Sequence, residues 1–241
     1  MKSLMSGAMK FRHFVLGAIA IFVYVGVEVG TPYIMFYWLS DTPEVGATIA
    51  GFVTGTYWFL MLIGRLVIGA SLGSKISSKA MLSTLSLVGL ILIGAAIFSP
   101  TTNLVSLPVL QTSATGALSF GLAQVPVNAL FIVLVGFCTS IMWGSIFNLA
   151  VEGLGKFTPA ASGIFMTMVM GGGILPAIQG GLADSIGYIA SYWVIIVGLA
   201  YLLFYGLIGS KNVTTGISVT DDEEVPVETT PQSLPTEEQM N

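Results

Sequence analysis

The stretch "FVLGAIAIFVYVGVEVGTPYIMFYWL", Phe14 to Leu39, is one long apolar run with a single carboxylate, Glu28, near its middle. A helix needs about 20 such residues to cross a hydrocarbon core of about 30 Å. The run exceeds a signal-peptide core, and no small-residue cleavage site follows it, because Trp38-Leu-Ser-Asp41 leads into an acidic turn. It is therefore read as a membrane span of the mature chain. A carboxylate at such a depth asks for an explanation, and the remaining sequence narrows the choices.

The rest of the chain repeats the apolar pattern. Of the 241 residues 54% are hydrophobic and only 8% charged, with a mean hydropathy of +0.90. A soluble domain carries roughly a quarter charged residues. Apolar segments at 14–39, 48–72, 80–99, 126–150, 160–182 and 188–209 predict an all-α integral membrane protein, a six-transmembrane-helix bundle. Barrel strands are excluded, because they alternate over segments of about ten residues. Residues 1–13 form a cytoplasmic N-terminal segment. The uncharged stretch 100–125, rich in Ser, Thr and Leu, reads as an external linker with room for a short helix on the membrane surface. Residues 210–241 have the Pro/Thr/Glu bias of a disordered acidic tail. Seven of the twelve acids lie in that tail, so the net charge of −4 describes the tail and not the body.

Loop charges orient the bundle. Lys2, Lys10 and Arg12 precede the first segment, and Arg65, Lys75 and Lys79 are counted with the loop after the second. Lys156 follows the fourth segment and Lys211 the sixth, so all eight basic residues share one side. The positive-inside rule then makes both termini cytoplasmic. Tyr33, Tyr37 and Trp38, with Tyr188, Tyr192 and Trp193, fit an aromatic belt at the opposite surface.

Enzymatic chemistry finds no residues. The one histidine, His13, lies at the membrane edge, and Cys138 is alone, which excludes an intramolecular disulfide and a cysteine metal site. There is no G-x-S-x-G, no H-E-x-x-H and no phosphate-cradling G-x-x-x-x-G-K-[ST] loop. Nothing calls for a metal, a cofactor or a nucleic acid.

What remains is polar groups within apolar segments, together with helix-breaking residues. Gly30 and Pro32 interrupt the first segment; Gly171, Gly172, Gly173 and Pro176 interrupt the fifth. Gly/Pro interruptions at membrane depth are a sequence pointer to a transport site. Tyr24, Glu28, Thr31 and Met35 share one helical face, while Ser140, Gly144 and Asn148 share another with Trp143 beside it. Thr54, Tyr57 and Trp58 lie in the second segment, and Gln179 follows the interruption in the fifth. Amides, hydroxyls and flat rings suit a sugar, which offers hydroxyls to hydrogen-bond and a C–H face to stack. Tyr24, Glu28, Trp143, Asn148 and Gln179 are the candidate substrate-binding residues. Each is also compatible with interhelical bonding alone. Glu28 costs roughly 2.5–3.5 kcal/mol at a helix centre, and ionisable groups there face a bundle interior or a water-filled cavity. It is either a structural acid tied to a neighbouring helix or a group that exchanges a proton with water.

Three stretches carry a resemblance: "YVGVEVG" (24–30), "GFVTGTYWFLMLIGRLVIG" (51–69) and "SIFNLAVEGLGKFTPAASGIFMTMVMGGGILPAIQGGLADSIG" (145–187). Over about 14–209 the chain resembles the C-terminal six-helix half of major facilitator superfamily sugar:proton symporters, in the fucose permease and glucose/galactose transporter branch. The resemblance implies half of a fold built from 3+3 inverted repeats, in a bacterial-type inner membrane. It implies alternating access driven by protons, with a monosaccharide held between two halves. It also implies that Gly64-Arg65 and "GASLGSKISSK" form the loop between the second and third helices, where family members often carry an acidic, arginine-rich gating motif. Here the aspartate is missing and lysines replace most arginines. Such transporters have twelve helices, and the main proton-coupling carboxylates belong to the half not present. The partner is expected to be an N-terminal six-helix half or a second copy of this chain. "MKSLMSGAMKFRHF" fits the end of a central loop, which favours a fragment or split half over a homodimer. The alternative is a membrane subunit without transport activity of its own.

Overall fold

The computed structural model describes residues 2–69, 75–112 and 116–214, with 217 and 219. Most of the acidic tail and part of the loop after the second span lie outside these residues. Among the described residues six helical spans are long and apolar enough to cross a membrane: Arg12–Ser40, Gly46–Gly69, Ser78–Phe98, Val127–Val151, Gly155–Ile186 and Tyr188–Gly209. They are called the first to sixth spans below. A short helix, Lys2–Ala8, precedes them. The first span is the most enclosed and packs against the second, fourth, fifth and sixth. This central position follows from its composition: buried Gly17, Ala18, Ala20, Gly26 and Gly30 let neighbouring backbones approach. The closest approach is to the fifth span, where a Cβ on Gly171 would fall on the carbonyl oxygen of Phe22.

The first span does not break at Gly30-Thr31-Pro32, where an interruption is expected from the sequence. It is one helix from Arg12 to Ser40 with Pro32 inside it. Proline removes the N–H that would bond the carbonyl four residues back, here that of Glu28. The hydroxyl of Tyr57 donates to that oxygen at 3.1 Å, and the hydroxyl of Tyr192 donates to the Thr31 carbonyl at 2.8 Å. Neighbouring side chains satisfy the freed acceptor, so the helix continues. In the fifth span the α-helix tightens to a 3-10 turn at Met168–Met170, and the next α-helix runs from Gly171 to Ile186 through Pro176.

The interruption at mid-span lies in the fourth span instead. Its first helix ends at Thr139 and its second begins at Met142, with Ile141 at φ −118°, ψ 3°. Side chains and not glycines make this break: Thr139 Oγ1 donates to the Gly136 carbonyl at 3.1 Å, and Ser140 Oγ to the Phe137 carbonyl at 2.7 Å. Ser and Thr that bond back to their own helix compete with its ladder and bend it.

The 100–125 stretch also departs from the expected surface helix. It forms an antiparallel hairpin, β1 Leu104–Thr112 and β2 Leu118–Pro126, with Leu107 opposite Ala123 and Val109 opposite Gly121. Leu107, Val109, Ala123 and Val125 are buried, while Leu118, Phe120 and Leu122 point outward and are exposed. Alternation of this kind is a strand pattern, and Pro108 opposes a helix there. The hairpin docks on the second span through the Leu110 N–H, which donates to Thr56 Oγ1 at 3.0 Å, and through the Phe59–Phe120 ring contact. Two members of the expected aromatic belt are structural: Trp38 and Tyr192 are buried, whereas Tyr33, Tyr37 and Trp193 are exposed.

Gly171→Ala is expected to destabilise the detergent-solubilised protein by about 1–3 kcal/mol, because a packed interface must open. Gly173→Ala, where an added Cβ meets nothing within 4 Å, should leave the melting temperature unchanged. Thermal melting of the two variants side by side checks this.

Candidate functional site at the centre of the bundle

Three spans meet around Glu28. Tyr24 lies one turn before it on the first span, and its hydroxyl donates to Glu28 Oε1 at 2.8 Å. The same hydroxyl lies 3.1 Å from the Thr139 carbonyl, which the break in the fourth span leaves free. Arg65 reaches in from the second span, at the start of a π-turn that runs to Gly69. Its Nη2 donates to Glu28 Oε1 at 3.1 Å, and its Nε donates to the Ser140 carbonyl at 3.1 Å. Tyr57 completes the group, 3.3 Å from Thr139 Oγ1. The carboxylate thus has a phenol and a guanidinium as donors, and both donors also address carbonyls released by the same break.

Arg65 is the residue that reasoning from loop charges misplaces. It sits inside the second span, and its cation belongs to Glu28 and not to a loop. The apolar run 48–72 already contains it, and a basic residue within such a run is the available signal. The Glu28 side chain is 13% exposed and that of Arg65 54% exposed, so the acid is enclosed and the cation half wet. The pair is not sealed in a core. Its Arg65 stands at the wall of a cavity.

That cavity, about 410 Å³, is lined by Arg65, Ser78, Ser140, Trp143, Gly144 and Asn148, among others. Trp143 is half-buried and stacks on Phe165, with ring centroids 5.4 Å apart and planes inclined by 26°. Asn148 is exposed, and its amide donates to Ser78 Oγ at 3.4 Å, near the end of the bundle where the third span starts. Trp143 and Asn148 therefore border one space, with Arg65 linking that space to Glu28 and Tyr24. Gln179 stands apart. It is fully buried, neither of its amide atoms has a hydrogen-bond partner among the described residues, and a Cβ on Gly30 would come within 2.6 Å of its Oε1. It lies between the first and fifth spans and does not line the cavity. A smaller cleft of about 240 Å³, lined by Val29, Pro32, Tyr33, Phe36, Tyr37, Thr54 and Trp58, opens between the first and second spans.

The chain superposes on the Escherichia coli fucose:proton symporter FucP with a TM-score of 0.73 at 20% identity, covering 88% of this chain and 46% of that one. A second structure of FucP, a major facilitator superfamily transporter in the outward conformation, gives a TM-score of 0.68 over 83% of this chain and 43% of that one. The bundle is half of a major facilitator fold. In sequence the chain is 36% identical over 207 residues to the glucose/galactose transporter of Brucella abortus. It is 32% identical over 206 residues to a putative glucose/galactose transporter of Helicobacter pylori. These matches take in 85% and 83% of this chain but 44% of each relative, so the chain spans about half the length of the curated relatives it matches. No family model matches. The named relatives are transporters and not enzymes, in agreement with the lack of enzymatic motifs.

A double-mutant cycle on Glu28→Gln and Arg65→Gln should return a coupling of about 1 kcal/mol, the upper range for a half-exposed pair. Arg65→Gln alone is expected to be the less stable single variant, because it leaves an enclosed carboxylate with only Tyr24. Chemical unfolding of the purified protein measures both quantities.

Proposed function

We propose that the chain is the C-terminal half of a sugar:proton symporter, carrying a monosaccharide of the glucose, galactose or L-fucose class across a bacterial-type inner membrane. The reading is carried by one observation: a carboxylate–guanidinium pair at the centre of the bundle opens onto a cavity walled by Trp143, Asn148 and Ser140. An indole and an amide serve the two faces of a hexose, one by stacking on C–H groups and the other by bonding hydroxyls. The half-wet Arg65 adds donors of the kind hydroxyl oxygens accept. The likeness to glucose/galactose transporters and to a fucose:proton symporter supports the same substrate class. Tyr24 and Glu28 act here behind Arg65, which lines the cavity, with Glu28 the proton-exchanging candidate. Gln179 acts as an interhelical group unless the first and fifth spans move apart.

The second half of the path is supplied by a six-helix partner of N-terminal type, and a second copy of this chain is the other candidate. Lys10, Arg12, Lys79, Lys156 and Lys211 mark the end of the bundle at which the odd-numbered spans begin. That distribution supports both termini on the cytoplasmic side.

Proton-gradient-driven uptake of labelled glucose, galactose and L-fucose, with and without a co-expressed N-terminal six-helix half, tests the proposal. Uptake of one of these sugars is expected with the partner present, falling about tenfold in Asn148→Ala, whose amide lines the cavity and rests on Ser78 without sugar. No uptake under either condition supports a membrane subunit whose polar groups only pack helices.

A further inference from the structure

The break in the fourth span and the acid on the first are joined twice, by two different side chains. Arg65 holds Glu28 Oε1 with Nη2 and the Ser140 carbonyl with Nε, both at 3.1 Å. Tyr24 has one hydroxyl hydrogen and two acceptors within reach, Glu28 Oε1 at 2.8 Å and the Thr139 carbonyl at 3.1 Å. One hydrogen serves one acceptor well, so the state of Glu28 decides which. The carbonyls of Thr139 and Ser140 flank the point where the fourth span loses its helical ladder.

We propose that Arg65 and Tyr24 are positioning residues that couple protonation of Glu28 to the break in the fourth span, and that a proton on Glu28 frees the Arg65 guanidinium into the cavity, where it donates to sugar hydroxyls. This rests on the proposed transport reading for the sugar, and on geometry alone for the coupling.

The steps balance without another reactant. With Glu28 ionised, Tyr24 donates to Oε1 and Arg65 is held by the opposite charge. A proton arriving through the cavity forms an O–H bond on the carboxyl group. That O–H then donates to Tyr24 Oη, while the hydrogen of Tyr24 turns to the Thr139 carbonyl. Tyr24 stays neutral and gives up no proton. The carboxyl group no longer carries the charge that attracts Arg65, so Nη2 is released, and Arg65, already half exposed, turns toward Trp143 and Asn148. The Ser140 carbonyl then keeps its guanidinium bond only as long as Arg65 stays in place. The fourth span consequently loosens on one side of the break when Glu28 is protonated. When Glu28 is ionised, Arg65 pins the fourth span to the second and, through the carboxylate, to the first.

The neighbourhood contains few competitors. The titratable groups bonded to Glu28 are Tyr24 on its own span and Tyr57 and Arg65 on the second, while Cys138 on the fourth is a buried free thiol and Tyr192 on the sixth bonds the Thr31 carbonyl. Among the described residues, only Tyr24 and Arg65 bond the carboxylate oxygens. Tyr57 is engaged with the Glu28 carbonyl and Tyr192 with that of Thr31, so both are committed to the backbone of the first span.

The test is thiol accessibility at Gly144→Cys, in the full chain with Cys138→Ala, without sugar. Gly144 is exposed in the cavity one turn beyond the break, and a Cβ there meets nothing within 4 Å. Alkylation is measured from acid to mild alkali, and each rate is divided by that of the same cysteine in a Glu28→Gln background. The division cancels the thiol's own ionisation. Glu28→Gln stands for the protonated acid, so the expected ratio is near one at low pH and falls about threefold as Glu28 ionises. In Arg65→Gln the fall should disappear, and in Tyr24→Phe it should persist, because the Tyr24–Thr139 bond forms only when Glu28 is protonated. Arg65→Lys, which keeps the charge and loses the fork that spans both acceptors, serves as the second variant should Arg65→Gln fail to fold, judged by its elution profile and helix content, and there the fall should shrink. A ratio flat across pH with Arg65 intact overturns the coupling, as does an undiminished fall in the Arg65 variant that folds. Because no sugar is present, a flat ratio leaves the transport reading standing. Absent uptake with a pH-dependent ratio removes the sugar and keeps the coupling.

Discussion

A carboxylate at the middle of a membrane-spanning helix has to be given donors, and the centre of this bundle is arranged around that requirement. Glu28 receives one hydrogen bond from its own span, through Tyr24, and one from the second span, through Arg65. An adjacent cavity opens on the side where Arg65 is exposed. A carboxylate with neither partner would face the full cost of burial. One that was fully enclosed with Arg65 would gain little from the pair and lose its access to protons. The observed compromise, an enclosed acid beside a half-wet cation, retains both a partner and a route to solvent.

The same economy governs the backbone. A membrane offers no water to an unpaired carbonyl, so every departure from the helical ladder needs a substitute donor. Pro32 frees the Glu28 carbonyl, and Tyr57 takes it. The break at Ser140–Ile141 frees the carbonyls of Thr139 and Ser140; Arg65 takes the second, and the Tyr24 hydroxyl, shared with Glu28, lies 3.1 Å from the first. Phenols suit this duty because a buried tyrosine brings a large apolar body and one donor at its tip. Tyr24, Tyr57 and Tyr192 are all fully buried, and each ends on a carbonyl of a neighbouring span. Tyr24 and Arg65 thus serve both the candidate site around Glu28 and the carbonyls at the break.

Hydropathy made the architecture legible. Runs of twenty or more apolar residues admit few alternatives, and six of them define a bundle whose fold matches half of a major facilitator transporter. The placing of Glu28 with Tyr24 was legible for the same reason, because i and i+4 positions share a helical face. The rest escaped for physical reasons. Glycine and proline mark potential breaks, yet Pro32 sits in an unbroken helix because Tyr57 repairs its missing bond. The actual break comes from Thr139 and Ser140, whose hydroxyls bond backwards, and such residues are common in intact membrane helices. Strand pattern in β1 and β2 was masked by the lack of charge and by Pro108, both of which suit a plain connection equally well. Gln179 looked like a ligand because it is polar, but its position facing Gly30 is a tertiary fact. Arg65 was visible all along as a cation inside an apolar run, and treating it as loop charge concealed its partner.

The central claim is that Glu28 and the cavity communicate through Arg65. Infrared difference spectroscopy of the Glu28 carboxyl band, isolated by subtracting the Glu28→Gln spectrum, measures this directly. Adding a glucose-, galactose- or L-fucose-type sugar should perturb the band in the wild-type chain and leave it unchanged in Arg65→Gln. A band indifferent to sugar in the wild type, or perturbed equally without Arg65, would contradict it.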